Sequence, residues 1–168
     1  MKKALVIGVG PLNGLGAQLA KKIAKNNFEV FVAGRTKSSL NTVVDSIIKD
    51  GNKANAVVVD TTNENEVKAM MNSVGSGLDF AIYNVGNNRP GKIVDMEPNY
   101  FKESWETCCF GGFLFSKEVI ETFLKQQYKK VKEMALFRNL KKEVETGANG
   151  TQNYIIKEGP NKDKVAKK

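Results

Sequence analysis

Histidine is absent from all 168 residues. That removes serine–histidine and cysteine–histidine nucleophile pairs, and every histidine-based zinc site. Cysteine occurs only at the adjacent positions Cys108 and Cys109. Neighbouring cysteines rarely close an unstrained disulfide, and two thiols alone do not make a metal site, so the pair reads as reduced thiols on a helix. No apolar run approaches the roughly 20 residues that cross a bilayer. The opening MKKALVIGVGP joins lysines to a short apolar run, in the manner of a secretory leader, but glycines and a proline interrupt it. It reads as a strand, so the expected compartment is the cytoplasm and no membrane partner is expected. The hydrophobic fraction of 41% is that of an ordinary globular protein, and the length suits one core.

Charge is unevenly spread. Residues 125–168 hold 12 of the 26 Lys and Arg but only 5 of the 18 Asp and Glu. The body before residue 125 is therefore close to neutral and the remainder is basic, two compositions joined near one point.

Along the chain, short apolar runs alternate with helical patterns. KALVIGV (3–9) reads as a buried strand that ends in glycine, and residues 14–26 place Leu15, Leu19 and Ile23 at helical spacing. EVFVAG (29–34) is a second strand. Residues 37–50 put Leu40, Val43, Val44, Ile47 and Ile48 on one helical face, which Gly51 stops. ANAVVVD (54–60) is a third strand, and NENEVKAMMNSV (63–74) a helix with Asn63 as its cap and acids in its first turn. LDFAIYNVG (78–86) is a fourth strand. A loop over 87–98, rich in Asn, Gly and Pro, precedes a long helix from about Asn99 to at least Leu124. This alternation implies an α/β fold with right-handed crossovers and a mostly parallel sheet. Past residue 145 the chain is polar and reads as a poorly ordered tail.

The turn from first strand to first helix, VIGVGPLNGLGAQLA, carries Gly8, Gly10, Gly14 and Gly16. A strand that turns sharply into a helix aims the helix amides at an anion, typically a phosphate. On this reading Gly10 takes backbone angles denied to other residues, Gly14 lets the main chain approach a pyrophosphate, and Gly16 lets helix and strand pack closely. The spacing from Gly10 to Gly16 is Gly-x-x-x-Gly-x-Gly. Here the chain resembles the short-chain dehydrogenase/reductase family, whose loop reads Thr-Gly-x-x-x-Gly-x-Gly, with Val9 in place of the threonine. VVVD (57–60) is similar to the family's third strand, ending in an aspartate that faces the adenine. YNVG (83–86) is similar to its Asn-Asn-Ala-Gly, and WETCCFGGFLFSKEVI (105–120) to its fourth helix. The resemblance covers residues 3–124. It implies a Rossmann-like doubly wound parallel sheet of about four strands, order 3-2-1-4, over residues 1–124; composition and charge give a basic helix and tail over 125–168.

The resemblance also implies an NADP(H)-binding protein of the oxidoreductase class. The implied cofactor residues are Gly10, Asn13, Gly14, Leu15, Gly16, Arg35, Thr36, Asp60, Thr61, Asn84 and Gly86. The choice of NADP rests on VAGRTK at the end of the second strand. An acid there would take the ribose hydroxyls of NAD. Gly34 occupies that place, and the Arg35 that follows suits a 2′-phosphate.

The family's catalytic Asn, Ser, Tyr and Lys are not found. Cys108 stands at the asparagine position, where a thiol replaces an amide that both donates and accepts. Ser116 lies inside the fourth helix. Tyr128 and Lys132 have the family's four-residue spacing, but only 20 residues beyond Cys108 and with no intervening strand. Instead Val131, Met134, Phe137, Leu140 and Val144 continue a helical pattern, so the pair reads as part of a basic amphipathic helix. Without a fifth strand, FAIYNV (80–85) would be an unpaired apolar edge, to be covered by NYII (153–156), by a second subunit, or by nothing. The family's fourth helix makes dimer contacts, which implies self-association here.

The substrate is expected to be a small molecule of unknown identity. Arg89 and Lys92 read as solvated loop charges before acidic-substrate contacts. Glu133, Glu143 and Glu145 dilute the basic tail, which argues against nucleic acid as a partner. The alternative reading is a non-catalytic nucleotide-binding module, or a truncated or frame-changed remnant whose basic tail binds a partner.

Overall fold

A computed structural model describes residues 1–87, 89–133, 144–146 and 152–154. The chain divides into two compact units, Met1–Leu124 and Lys125–Lys168. In the first, β1 (Lys2–Ile7), α1 (Leu15–Ala24), β2 (Phe28–Gly34), α2 (Lys37–Lys49), β3 (Ala54–Val58), α3 (Glu64–Val74) and β4 (Leu78–Tyr83) alternate. A 3₁₀ turn (Ile93–Asp95), α4 (Pro98–Trp105), a π turn (Glu106–Phe110) and α5 (Gly111–Glu133) follow. The four strands form one parallel sheet in the order β3-β2-β1-β4. This is the doubly wound Rossmann-like arrangement read from the sequence.

The strand sequences dictate the layers. Successive side chains point to opposite faces, so the apolar run over residues 4–7 of β1 is buried on both. Leu5 and Ile7 pack with Phe31, Val67, Met70, Val74 and Leu114 on the face that carries α3 and α5. Val6 packs with Val30, Val32, Ala17, Ala20, Leu40 and Val43 on the face that carries α1 and α2. Each fully buried aliphatic side chain of this kind stabilises the fold by about 1.5–3 kcal/mol. The small Ala17, Ala20 and Ala24 let α1 sit close to the sheet. Gly51, at φ +79°, ends α2 as expected. Asn63 caps α3: its side chain accepts from the Asn65 and Glu66 amides at 3.0 and 3.3 Å.

Three local expectations change. The long helix expected from Asn99 is broken by the π turn at 106–110, where Gly111 packs so tightly that a Cβ would lie 2.6 Å from Tyr83 Oη and 2.8 Å from Thr61 Oγ1. Val144, read as helical, lies in β5 (Val144–Thr146), which pairs antiparallel with β6 (Gln152–Tyr154) in a second sheet. Two strands thus stand in and beside the stretch read as a tail. In register Val144 pairs with Tyr154 and Thr146 with Gln152, a pairing too short to show in a periodicity scan. Asn153 and Tyr154, suggested as cover for β4, belong to this hairpin, and among the described residues β4 pairs only with β1. Met134, Phe137 and Leu140 lie outside the described residues.

Candidate functional site

The strand order places β2 and β4 on either side of β1. Connections from β1 and β4 therefore leave the sheet in different directions at their carboxyl ends, opening a crevice of the kind in which doubly wound proteins hold ligands. Six elements converge there: the glycine loop, the ends of β2, β3 and β4, and the first turns of α1 and α2.

The glycine loop is built by close backbone approach. Gly8 is the loop residue with positive φ, +84°, and a Cβ on it would lie 2.5 Å from the Asn84 carbonyl atoms. Gly8 and Val9 both donate to the Ala33 carbonyl at 3.0 Å. Gly10, expected to need special backbone angles, has none, and a Cβ on it would meet nothing within 4 Å. Its contribution is open space. The loop then turns through Pro11–Gly14, closed by Gly14 N donating to the Pro11 carbonyl at 2.8 Å and by Gln18 Nε2 donating to the Leu12 carbonyl at 2.9 Å. Asn13 and Leu15 are exposed. Gly14 is the N-cap of α1 and offers no side-chain cap, so the first amides of that helix are left for solvent or an anion. Gly16 is locked in: a Cβ would be 2.6 Å from the Gly8 carbonyl oxygen.

Asn84, just beyond β4, ties the two sides together. Its backbone amide donates to the Ile7 carbonyl at 2.9 Å and its Nδ2 to the Gly8 carbonyl at 3.2 Å. Gly86 follows, exposed, with nothing within 4 Å of a built Cβ.

At the end of β2, Gly34 has no room for a side chain: a Cβ would lie 2.7 Å from the Val9 carbonyl oxygen. Arg35 and Thr36 are exposed beside it, and Thr36, the N-cap of α2, makes no side-chain cap bond. Beyond β3, Asp60 Oδ1 accepts from the Thr62 amide at 2.9 Å and from the Thr62 hydroxyl at 2.8 Å. The backbone bond, chiefly, with the hydroxyl and the nearby Arg35 charge, holds the Asp60 carboxyl below its ordinary range against the opposing effect of burial. The Asp60 amide donates to Glu66 Oε2 at 2.8 Å, fixing this loop to α3. Thr61 is different in kind: its side chain is buried, with Oγ1 3.4 Å from Tyr83 Oη. It faces the packing, not the crevice.

Tyr83 is the residue that sequence reasoning missed. It was legible only as the first letter of YNVG. Its hydroxyl donates to the Thr107 carbonyl within the π turn, and its ring meets Phe115 with centroids 5.4 Å apart. Burial, above all, raises its pKa. An aromatic at the end of an aliphatic strand, with Gly111-Gly112 later in the chain, was the available signal.

The remaining sequence candidates do not gather at the crevice loop. Cys108 and Cys109 are exposed on the π turn, and Ser116 is exposed on α5. The Arg89 guanidinium lies 5.0 Å from the Tyr100 ring centroid, and the Arg89 amide donates to Tyr100 Oη at 2.7 Å. Tyr128 and Lys132 fall on the backbone of α5, but their side chains lie outside the described residues.

Residues 2–131 match the short chain dehydrogenase family. The chain belongs to that family. An uncharacterized oxidoreductase of Staphylococcus haemolyticus (strain JCSC1435) is 33% identical over 124 residues, covering 69% of this chain and 50% of that protein. The solved short-chain dehydrogenase from Rhodopseudomonas palustris is 32% identical, with a TM-score of 0.66 over 74% of this chain and 58% of that one. An actinorhodin polyketide ketoreductase variant, solved with NADPH, aligns at a TM-score of 0.68 and 24% identity over 74% of this chain and 49% of that one; this likeness shows the fold alone. This short-chain dehydrogenase chain spans about half the length of the curated relatives it matches. Among the described residues, no helix is long and apolar enough to cross a membrane.

Proposed function

We propose that this short-chain dehydrogenase chain binds NADP(H) in the crevice above β1 and serves an oxidoreductase reaction on a small molecule. One observation carries the choice of nucleotide. Gly34 stands where an acid would select NAD, the Val9 carbonyl 2.7 Å from a built Cβ leaves that position no side chain, and Arg35 beside it is exposed. A guanidinium there recognises a 2′-phosphate with paired N–H donors.

The residues present fit the cofactor. The open space over Gly10 and Gly86, and the uncapped first turn of α1, suit a backbone-lined pyrophosphate cradle with Asn13, Gly14, Leu15 and Gly16 along its floor. Arg35 and Thr36 would hold the 2′-phosphate end, and Asp60 and the Thr61 backbone the adenine end. When bound, the dinucleotide supplies hydride-transfer chemistry. Asn84 keeps the β1 and β4 loops at a fixed separation, which holds the cradle open.

Self-association is part of this reading, supported by the exposed Phe101, Phe113, Ile120 and Leu124 on α4 and α5. Two exposed, unpaired thiols suit a reducing compartment, the cytoplasm. A second reading, a nucleotide-binding module without its own catalysis, is favoured by the open outer edge of β4 among the described residues. Titration with NADPH and with NADH, followed by nicotinamide fluorescence, tests the proposal. Preferential NADPH binding is expected; binding of neither, or preference for NADH, overturns it.

A further inference from the structure

Two cysteines adjacent in sequence are both exposed, and the nucleotide reading uses neither. Cys108 and Cys109 are the only cysteines in the chain, and both are exposed, although cysteine is ordinarily among the most buried residue types. They occupy the centre of the π turn at Glu106–Phe110.

A direct disulfide between them is disfavoured by geometry. The chain has no cis peptide among its described residues. Adjacent Cα atoms across a trans peptide are about 3.8 Å apart, below the roughly 4.4–6.8 Å span of ordinary disulfides. Closing a disulfide between these two neighbours would therefore strain the turn. A single atom inserted between the two sulfurs lengthens the bridge and removes that constraint. Among the described residues, no group of three or more Cys, His, Asp or Glu side chains could hold a metal ion, so a tetrahedral cation such as zinc lacks its further ligands. A centre that asks for two sulfurs, and brings its own third substituent, fits better.

The surroundings suit such a substituent. Trp105 and Phe110 bracket the dithiol in sequence and stack on one another, with ring centroids 6.1 Å apart and planes at 13°. Both rings remain open to solvent, at 53% and 37% exposure. The turn itself is anchored from below by the Tyr83 hydroxyl on the Thr107 carbonyl and by the tight packing of Gly111 on Tyr83 and Thr61. The thiols are thus presented on a held backbone, in the same turn as an exposed aromatic pair.

We propose that Cys108 and Cys109 form a vicinal dithiol site for trivalent arylarsenicals, a soft thiophile that takes two sulfurs at once. In the step, the As=O group of an arylarsine oxide gives way to two As–S bonds. The two thiol protons leave with the oxygen as one water molecule, and no oxidation state changes. The aryl group rests against Trp105 and Phe110.

Phenylarsine oxide is the probe, used on the full chain. Intact mass should show one arsenic per chain, and thiol titration should fall from two groups to none. The adduct should survive excess glutathione and be removed by 2,3-dimercaptopropanol. Trp105, the sole tryptophan, should be quenched with a one-to-one endpoint and recover on removal. Cys108→Ser and Cys109→Ser should each retain the nucleotide-binding behaviour of the parent and yield only adducts that glutathione strips. An adduct lost to glutathione in the parent chain overturns the proposal. So does arsenic that joins two chains, or equal retention in the single variants.

Discussion

Asn84 Nδ2 donates to the Gly8 carbonyl at 3.2 Å, so the loop after β4 is bonded directly to the loop after β1. Those two loops are the walls of the crevice. One side chain therefore sets the width of the proposed nucleotide site, and it sits where the positive φ of Gly8 turns the chain out of the sheet.

Asn84→Ala should lower stability by about 1 kcal/mol, the net contribution of one such bond. For a chain of this size that is a fall of roughly 2–4 °C in Tm. Nucleotide affinity should fall further than stability does, because the crevice walls are no longer tied. Thermal unfolding with and without saturating NADPH separates the two effects.

Gly8, Gly10 and Gly16 should respond differently to alanine. Gly8→Ala and Gly16→Ala put a Cβ within 2.5–2.6 Å of backbone atoms, and Gly8 adds its positive φ. Losses on the order of 2–5 kcal/mol are expected. Gly10→Ala meets nothing within 4 Å and should fold as the parent does, while losing nucleotide affinity because the new methyl enters the open space. Urea unfolding beside fluorescence titration checks all three. Normal nucleotide binding by Gly10→Ala would remove Gly10 from the site.

Arg35→Ala should weaken NADPH binding by about 10- to 100-fold, the scale of hydrogen bonds to a charged group. NADH binding should hardly change. Equal losses for both nucleotides would remove Arg35 from the specificity argument.

Tyr83→Phe should cost about 1–3 kcal/mol, because the Thr107 carbonyl loses its donor in a partly buried place. The ring contact with Phe115 is kept, so Tyr83→Ala should cost more. Denaturant midpoints of the two variants measure the difference.

Asp60 makes a specific acid prediction. Its folded pKa is lowered, so its contribution to stability is present above the unfolded value, about 3.9. That contribution is lost as pH falls through the lower folded value. Asp60→Asn should be less stable than the parent at neutral pH, and the gap should close in strong acid. Parallel unfolding curves across that pH range test this. A gap that stays constant would show that the charge plays no part.

The order of strands and helices was legible from residue 3 to Leu124 because the signals are local. β1 is apolar from Ala4 to Ile7, α2 repeats Leu40, Val43 and Ile47 on one face, and Gly51 and Asn63 mark helix ends by their own chemistry. Such features need no knowledge of distant contacts. The glycine spacing and the Gly34-Arg35 pair were equally plain in the sequence.

Tertiary structure decided what each of those residues does. Whether Gly8 or Gly10 bears the positive φ depends on the Asn84 backbone lying against Gly8, a contact 76 residues away in sequence. The inward turn of Thr61, the reach of Tyr83 to Thr107 and the break of the long helix at 106–110 all follow from Gly111 packing on β4. Local propensity could not show them, because helix periodicity runs unbroken through the turn. The sequence by itself determined the order of strands and helices and the residue types that line the crevice. Only the packing of distant segments decided which side chains face it and which hold it in place.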